Sequence, residues 1–207
     1  TQGRTRSGLD TGGILMANIQ ALRPYQQAAR DSIHAQWEQG RLRTLLVLPT
    51  GTGKTIVFAS VAADQVRAGN RVLILAHRGE LLEQAADKLQ RSTGLVSAVE
   101  KAESTCLNSW FRVVVGSVQT LQRPARLERF PRDYFGTIII DEAHHAITDG
   151  YRRILDYFES AKVLGVTATP DRGDMRNLGE VFDSLAYEYK LTDAIKEGYL
   201  CKIMAQT

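Results

Sequence analysis

LVLPTGTGKTIVFAS, residues 46–60, decides the fold. Leu46 to Leu48 are apolar without alternation, as a strand covered on both faces must be, and Pro49 ends the run. Thr50, Gly51, Thr52 and Gly53 then form a tight loop, and Lys54 opens a helical pattern that runs to Ala68 and is closed by Gly69 and Asn70. A strand, a glycine loop and a helix start aim several backbone N–H groups at one point, which attracts an anion. A phosphate chain fits best. Lys54 reaches its outer phosphates as a point charge, and the Thr55 hydroxyl is placed to ligate Mg²⁺ held by the same phosphates. The full pattern G-x-x-x-x-G-K-[ST] has glycine where this chain has Leu48, so the literal match lacks one residue and the flanking strand and helix carry the reading.

Outward from that loop the chain alternates two textures. TLLVLP (44–49), RVLILAH (71–77), RVVVGS (112–117), GTIIID (136–141) and AKVLGVTAT (161–169) are apolar on both faces, and GLVSAVE (94–100) is a weaker sixth. Helical patterns separate them, including Gly79 to Leu89 with an apolar stripe of Leu81, Leu82, Ala85 and Leu89. The alternation predicts an α/β fold with a parallel sheet and helices on both faces. Each run turns polar or small where its strand ends: Thr50, His77 with Arg78, Ser117, Asp141 with Glu142, and Thr167 with Thr169. Parallel sheets bind ligands outside the carboxyl ends of their strands, so these residues are expected to converge on one edge.

The acidic pair argues for hydrolysis rather than simple binding. Asp141, at the end of three isoleucines, is suited to hold Mg²⁺, and Glu142 to accept the proton of an attacking water. His144 and His145 lack further ligands at the spacing of a metal site.

Composition bounds the remainder. The 207 residues are 43% apolar and 24% charged, as in ordinary globular proteins, and no run approaches the roughly 20 apolar residues of a membrane-spanning helix. A net charge of +3 permits a nucleic-acid partner without arguing for one. Cys106 and Cys201 lie far apart in no metal spacing, which suits two passive thiols in a reducing compartment, the cytoplasm or a nucleus. Residues 1–16 carry Gly3, Gly8, Gly12 and Gly13 among small polar residues and read as a flexible tail; Met16 looks like a natural start, which would make what precedes it vector-derived.

PTGTGKT, AHRGELLEQ, VVVGSVQTL, DEAHH and GVTATP, in this order, resemble motifs I, Ia, Ib, II and III of superfamily 2 DNA/RNA helicases of the DEAH-box type. The nearer resemblance is to the branch containing type III restriction subunits and excision-repair helicases, over residues 22 to about 200. It implies a P-loop NTPase with a RecA-like lobe that uses ATP and Mg²⁺. By resemblance Thr50, Gly51, Thr52, Gly53, Lys54 and Thr55 bind the phosphates, Thr55 and Asp141 hold the metal, and Glu142 activates water beside Lys54 and Asp141. His144, Thr167 and Thr169 couple hydrolysis to motion. LRPYQQAARDSI (22–33) resembles the adenine-reading segment, with Arg23 and above all Gln26 as contacts, because an amide offers both a donor and an acceptor. Arg78, Gly79, Ser117, Gln119 and Thr120 match positions that touch a nucleic-acid backbone. Arg123, Arg126, Arg129 and Arg132 recur every third residue and could track phosphates, although a solvated face explains them as well.

Family members carry two such lobes, the second supplying arginines that stabilise the transferred phosphate. Residues 17–207 leave room for the first lobe only, with LTDAIKEGYLCKI (191–203) resembling its closing helix and strand. The expectation is therefore the ATP-binding lobe of a helicase or translocase acting on DNA rather than RNA, slow by itself. Duplex translocation without strand separation, or a nucleotide-gated scaffold, are the alternatives.

Overall fold

The computed structural model describes residues 21–77, 79–168 and 170–201. The expected N-terminal tail, Arg78, Thr169 and the end of the expected closing strand lie outside the described residues. Among the described residues the chain builds one seven-stranded sheet from β1 (Arg43–Val47), β2 (Val72–Ala76), β3 (Ser97–Glu100), β4 (Val113–Ser117), β5 (Thr137–Asp141), β6 (Lys162–Thr167) and β7 (Ser184–Glu188). Their spatial order is β3-β4-β2-β5-β6-β1-β7, and every neighbouring pair is parallel. The helices are α1 (Pro24–Glu38), α2 (Lys54–Arg67), α3 (Gly79–Thr93), α4 (Val118–Leu121), α5 (Pro124–Leu127), α6 (Asp149–Tyr157), α7 (Arg172–Leu178) and α8 (Leu191–Lys196), with a 3₁₀ turn at Ala143–Ile147.

The sheet has a separate core on each face, which is why its strands cannot alternate. Leu46, Ile74, Val115, Ile139 and Leu164 pack with Ile33 and Trp37 of α1, Phe58 and Val61 of α2, and Leu82 and Leu89 of α3. Their strand neighbours Val47, Leu73, Leu75, Val114, Ile138 and Val163 point the other way, against Leu121, Leu127, Tyr151, Ile154 and Leu178. Each such side chain contributes about 1.5–3 kcal/mol on burial, and a strand that collects this on both faces belongs in the middle of a sheet.

The two edges are the strands with the weakest sequence signal. GLVSAVE supplies β3, as expected, whereas SLAYE supplies β7, which no apolar run announced because Leu185 is 41% exposed and the strand packs on one side only. α2 ends close to where its glycine predicts, with Gly69 at φ +88° and the Asn70 N–H donating to the Gln65 carbonyl. α3 runs one turn past the expected Leu89, to Thr93.

Register sets the strand ends side by side. Val47 lies opposite Thr167, Ala76 opposite Ser117, and Asp141 opposite Val166. Among the described residues Thr50, His77, Ser117, Asp141, Glu142 and Thr167 therefore share one edge of the sheet, as the run endings predict.

Candidate nucleotide site

The loop after β1 is built against α1. Gly51 and Gly53 adopt φ +85° and +81°, a left-handed conformation that side-chain-bearing residues rarely reach. Thr52 is fully buried, and both its N–H (3.2 Å) and its hydroxyl (2.5 Å) donate to the Pro49 carbonyl. The Thr52 carbonyl in turn accepts from the Tyr25 hydroxyl at 2.5 Å and from Gln26 Nε2 at 3.1 Å. Gln26 reaches back with its Oε1 to the Arg23 N–H, 2.9 Å away, as the third residue of a helix does in a capping box. A Cβ on Gly53 would stand 2.5 Å from Gln26 Nε2 and push that amide off the Thr52 carbonyl, in addition to the strain of its positive φ. Gln26, only 2% exposed, is thus a brace between helix start and phosphate loop, with its amide engaged at both ends.

Two residues that the sequence reading missed surround Arg23 and Tyr25. The Tyr25 ring stacks on Tyr189 at 4.2 Å and meets Tyr199 edge-on at 5.0 Å, while the Arg23 guanidinium lies 4.7 Å from the centre of the Tyr199 ring. Nothing in local spacing could have found Tyr189 and Tyr199, which reach the loop from the far end of the chain.

Lys54 begins α2, directly after the left-handed Gly53. The Lys54 Nζ is 3.9 Å from Glu142 Oε1, and His144 Nδ1 is 3.5 Å from Glu142 Oε2, so the two side chains flank the carboxylate. Glu142 has φ 54° and ψ 57°, and its N–H donates to Asp141 Oδ1 at 3.0 Å. A left-handed non-glycine residue costs about 1–2 kcal/mol, and it turns the chain sharply enough for adjacent carboxylates to face different ways. Burial pushes the Asp141 carboxyl above the usual carboxylate range, and the negative Glu142 adds to this; the Glu142 N–H, Lys54 and Lys88 oppose it. Thr55 and Asp141 line one small cavity of about 40 Å³ with Phe58, Gln84, Ala85 and Lys88. Lys88 is a further cation that the sequence reading did not single out.

Among the described residues no group of three or more His, Cys, Asp or Glu side chains could hold a metal ion by itself. One hydroxyl and one carboxylate facing a shared cavity do fit Mg²⁺, which keeps waters and takes substrate phosphates as ligands.

The expected nucleic-acid positions divide. Ser117 and Thr120 are buried, with the Ser117 hydroxyl donating to Gln119 Oε1 at 2.9 Å and the Thr120 hydroxyl accepting from the Ala102 N–H at 3.0 Å. Gln119 is exposed and donates from Nε2 to the His77 carbonyl. Gly79 is the first residue of α3, and Thr167 is buried with its carbonyl accepting from the Leu48 N–H at 3.0 Å. The arginine series does not form one face. Arg126 is ion-paired with the fully buried Glu100, and Arg132 lies 4.6 Å from the centre of the Tyr157 ring. Helix α5 is too short to continue a period of three, so chain direction scatters the series.

The profile of the family described as type III restriction enzyme, res subunit, matches residues 19–172. The chain belongs to this family. That span holds the phosphate loop, the acidic pair and the brace at Gln26; Tyr189 and Tyr199 lie beyond it. Among relatives of this res-subunit chain, IRC3 of Saccharomyces cerevisiae, named as an ATP-dependent helicase, is 36% identical over 195 residues, which cover 87% of this chain and 28% of IRC3. The Escherichia coli type I restriction enzyme EcoAI endonuclease subunit is 31% identical over 188 residues, 86% of this chain and 23% of that one. The crystal structure of the Pyrococcus furiosus Hef helicase domain superposes with a TM-score of 0.66 at 26% identity, covering 82% of this chain and 38% of its own. The fold is accordingly the RecA-like first lobe of a superfamily 2 helicase. The chain spans under a third of the length of the two curated relatives named.

Proposed function

We propose that residues 17–207 are the ATP-binding lobe of a nucleic-acid-dependent ATPase, a helicase or translocase acting on DNA rather than RNA. The observation that carries the reading is the meeting of Lys54, at the head of α2, with Glu142, just after β5, 3.9 Å apart on the edge where the strands of the parallel sheet end. The loop amides from Thr50 to Gly53, the start of α2 and Lys54 hold the phosphate chain of ATP. Arg23 and Gln26 contact the adenine, and Gln26 also supports the loop. Thr55 and Asp141 present oxygens for Mg²⁺, which neutralises the phosphate oxygens. Glu142, flanked by Lys54 and His144, accepts the proton of the attacking water. Thr167 and Thr169 pass the change at the phosphates toward a second RecA-like lobe of the whole protein, which supplies the cleft arginines. Gln119, with Arg78 and Gly79, meets the nucleic-acid backbone, and such contacts carry little sequence preference. An intracellular location, cytoplasmic or nuclear, follows from a nucleic-acid substrate.

Similarity to a restriction subunit favours one second reading, translocation along duplex DNA without strand separation. Strand-displacement and triplex-displacement assays on the whole protein separate the two.

The reading is tested by steady-state ATP hydrolysis with and without single-stranded DNA, duplex DNA and RNA, with Lys54→Ala as the blank. This chain alone is expected near background, since cleft arginines are worth about 10³–10⁵ in rate. The whole protein is expected to be stimulated by DNA. In this chain Lys54→Ala is expected to weaken ATP binding by about 1.5–3 kcal/mol, the value of hydrogen bonds to charged groups. Fast turnover by this chain alone, indifferent to nucleic acid, would sink the two-lobe motor.

A further inference from the structure

Three imidazoles connect segments that follow two neighbouring strands. β2 and β5 run in register up to Leu75 and Ile140. Past that pair, side chains join the two. The His77 ring lies flat on the His145 ring, with centroids 4.3 Å apart and planes 12° from parallel, and the His145 ring is 4.2 Å from the His144 ring. His144 Nδ1 then meets Glu142 Oε2 at 3.5 Å. On the other side Gln119 Nε2 donates to the His77 carbonyl, and Gln119 Oε1 accepts from the Ser117 hydroxyl. Contacts are thus continuous from the start of α4 to the carboxylate placed to activate water. Glu142 heads the 3₁₀ turn in a left-handed conformation, so its position depends on what steadies that turn.

We propose that His77 and His145 are positioning residues whose stacked rings transmit nucleic-acid occupancy beside Gln119 to Glu142. The inference rests on the reading of this chain as a nucleic-acid-stimulated ATPase lobe. A shift of the segment after β2 moves the ring on which His145 lies, and the turn carrying His144 and Glu142 moves with it. What His77 presents to His145 is a flat ring, and its Nδ1 is buried without a hydrogen-bond partner. A phenyl group there keeps the face and removes an orphaned polar atom, whereas alanine removes the face.

Spatial continuity alone does not demonstrate coupling, and a measurement decides it. ATP hydrolysis by the whole protein is followed with and without saturating single-stranded DNA, and DNA affinity by fluorescence anisotropy. For His77→Ala, the KM for ATP and DNA affinity are expected to stay near wild type, while the ratio of DNA-stimulated to basal kcat falls about 5-fold or more, as for loss of a typical inter-site coupling. His77→Phe is expected to restore it. Should His77→Ala fold poorly, His77→Leu fills the volume without a flat face and is expected to lose stimulation in the same way. Full stimulation of a folded His77→Ala or His77→Leu variant overturns the inference and leaves the motor reading intact. A wild-type protein whose hydrolysis depends on Lys54 but ignores every nucleic acid overturns both.

Discussion

Asp141 shows what partial burial does to a carboxylate at a strand end. Its carboxyl is raised above the usual range first by burial and then by Glu142, so the folded chain holds this proton to a higher pH than the unfolded chain does. The folded chain then binds more protons than the unfolded one between the ordinary carboxylate value and the raised one, and stability falls as pH rises through that window. Asp141→Asn keeps an oxygen to accept the Glu142 N–H and removes the charge. The ligand-free variant is expected to melt higher than wild type at neutral pH, with the difference closing as pH falls. It should also lose the extra stabilisation that Mg²⁺ gives a bound nucleotide. Thermal melts of both chains across pH, with and without MgADP, check both halves. Cys106 stands at the opposite pole, its thiol pushed up to about 12 by burial and by Glu100, which leaves it a packing residue.

At the scale of elements, two charged groups tie helices in ways no periodic pattern shows. Asp64 of α2 accepts from Arg30 Nε at 2.6 Å and Nη2 at 2.7 Å on α1, and meets His34 Nε2 at 2.9 Å. Burial pushes its carboxyl up, yet the contacts from His34 and Arg30 outweigh this and hold it below the usual range. The stability from this clamp is present above the ordinary carboxylate value and is lost as pH falls through the lowered one. Asp64→Ala is expected to cost about 1–2 kcal/mol at neutral pH, measured by denaturant titration, with the gap to wild type narrowing in acid. The second tie is Arg126 of α5 with the fully buried Glu100 of β3, whose other carboxylate oxygen accepts from the Cys106 N–H at 2.7 Å. Removing one member of a buried pair leaves an uncompensated charge, so Arg126→Met is expected to destabilise by about 3–5 kcal/mol. Adding Glu100→Gln should recover part of that loss. An arginine that merely faced solvent would show neither effect.

In the whole molecule, stability should be graded across the sheet. β5 and β2 have strands on both sides and helices on both faces, whereas β3 and β7 are edges. Hydrogen exchange is expected to be slowest in Val72–Ala76 and Thr137–Asp141 and fastest, among strands, in Ser184–Glu188. Equal protection of edge and centre would show a single cooperative unit. Among the described residues no helix is long and apolar enough to cross a membrane, in line with a sheet whose apolar surface is spent on two internal cores.

The sequence by itself determined the parallel sheet, because strands buried on both faces must be apolar throughout. It also determined the phosphate loop and the acidic pair, because glycines at positive φ, a lysine at a helix start and a carboxylate at a strand end are local in the chain. It marked the central strands more clearly than the edges, since apolar content follows how many faces a strand buries. Only the tertiary structure decided that Gln26 braces the loop, that Tyr189 and Tyr199 stand beside Arg23, and that Arg126 answers Glu100. The same holds for His77 lying on His145. Each of these joins residues distant along the chain. Their contact depends on where the sheet order places the strand ends, which residue spacing does not encode.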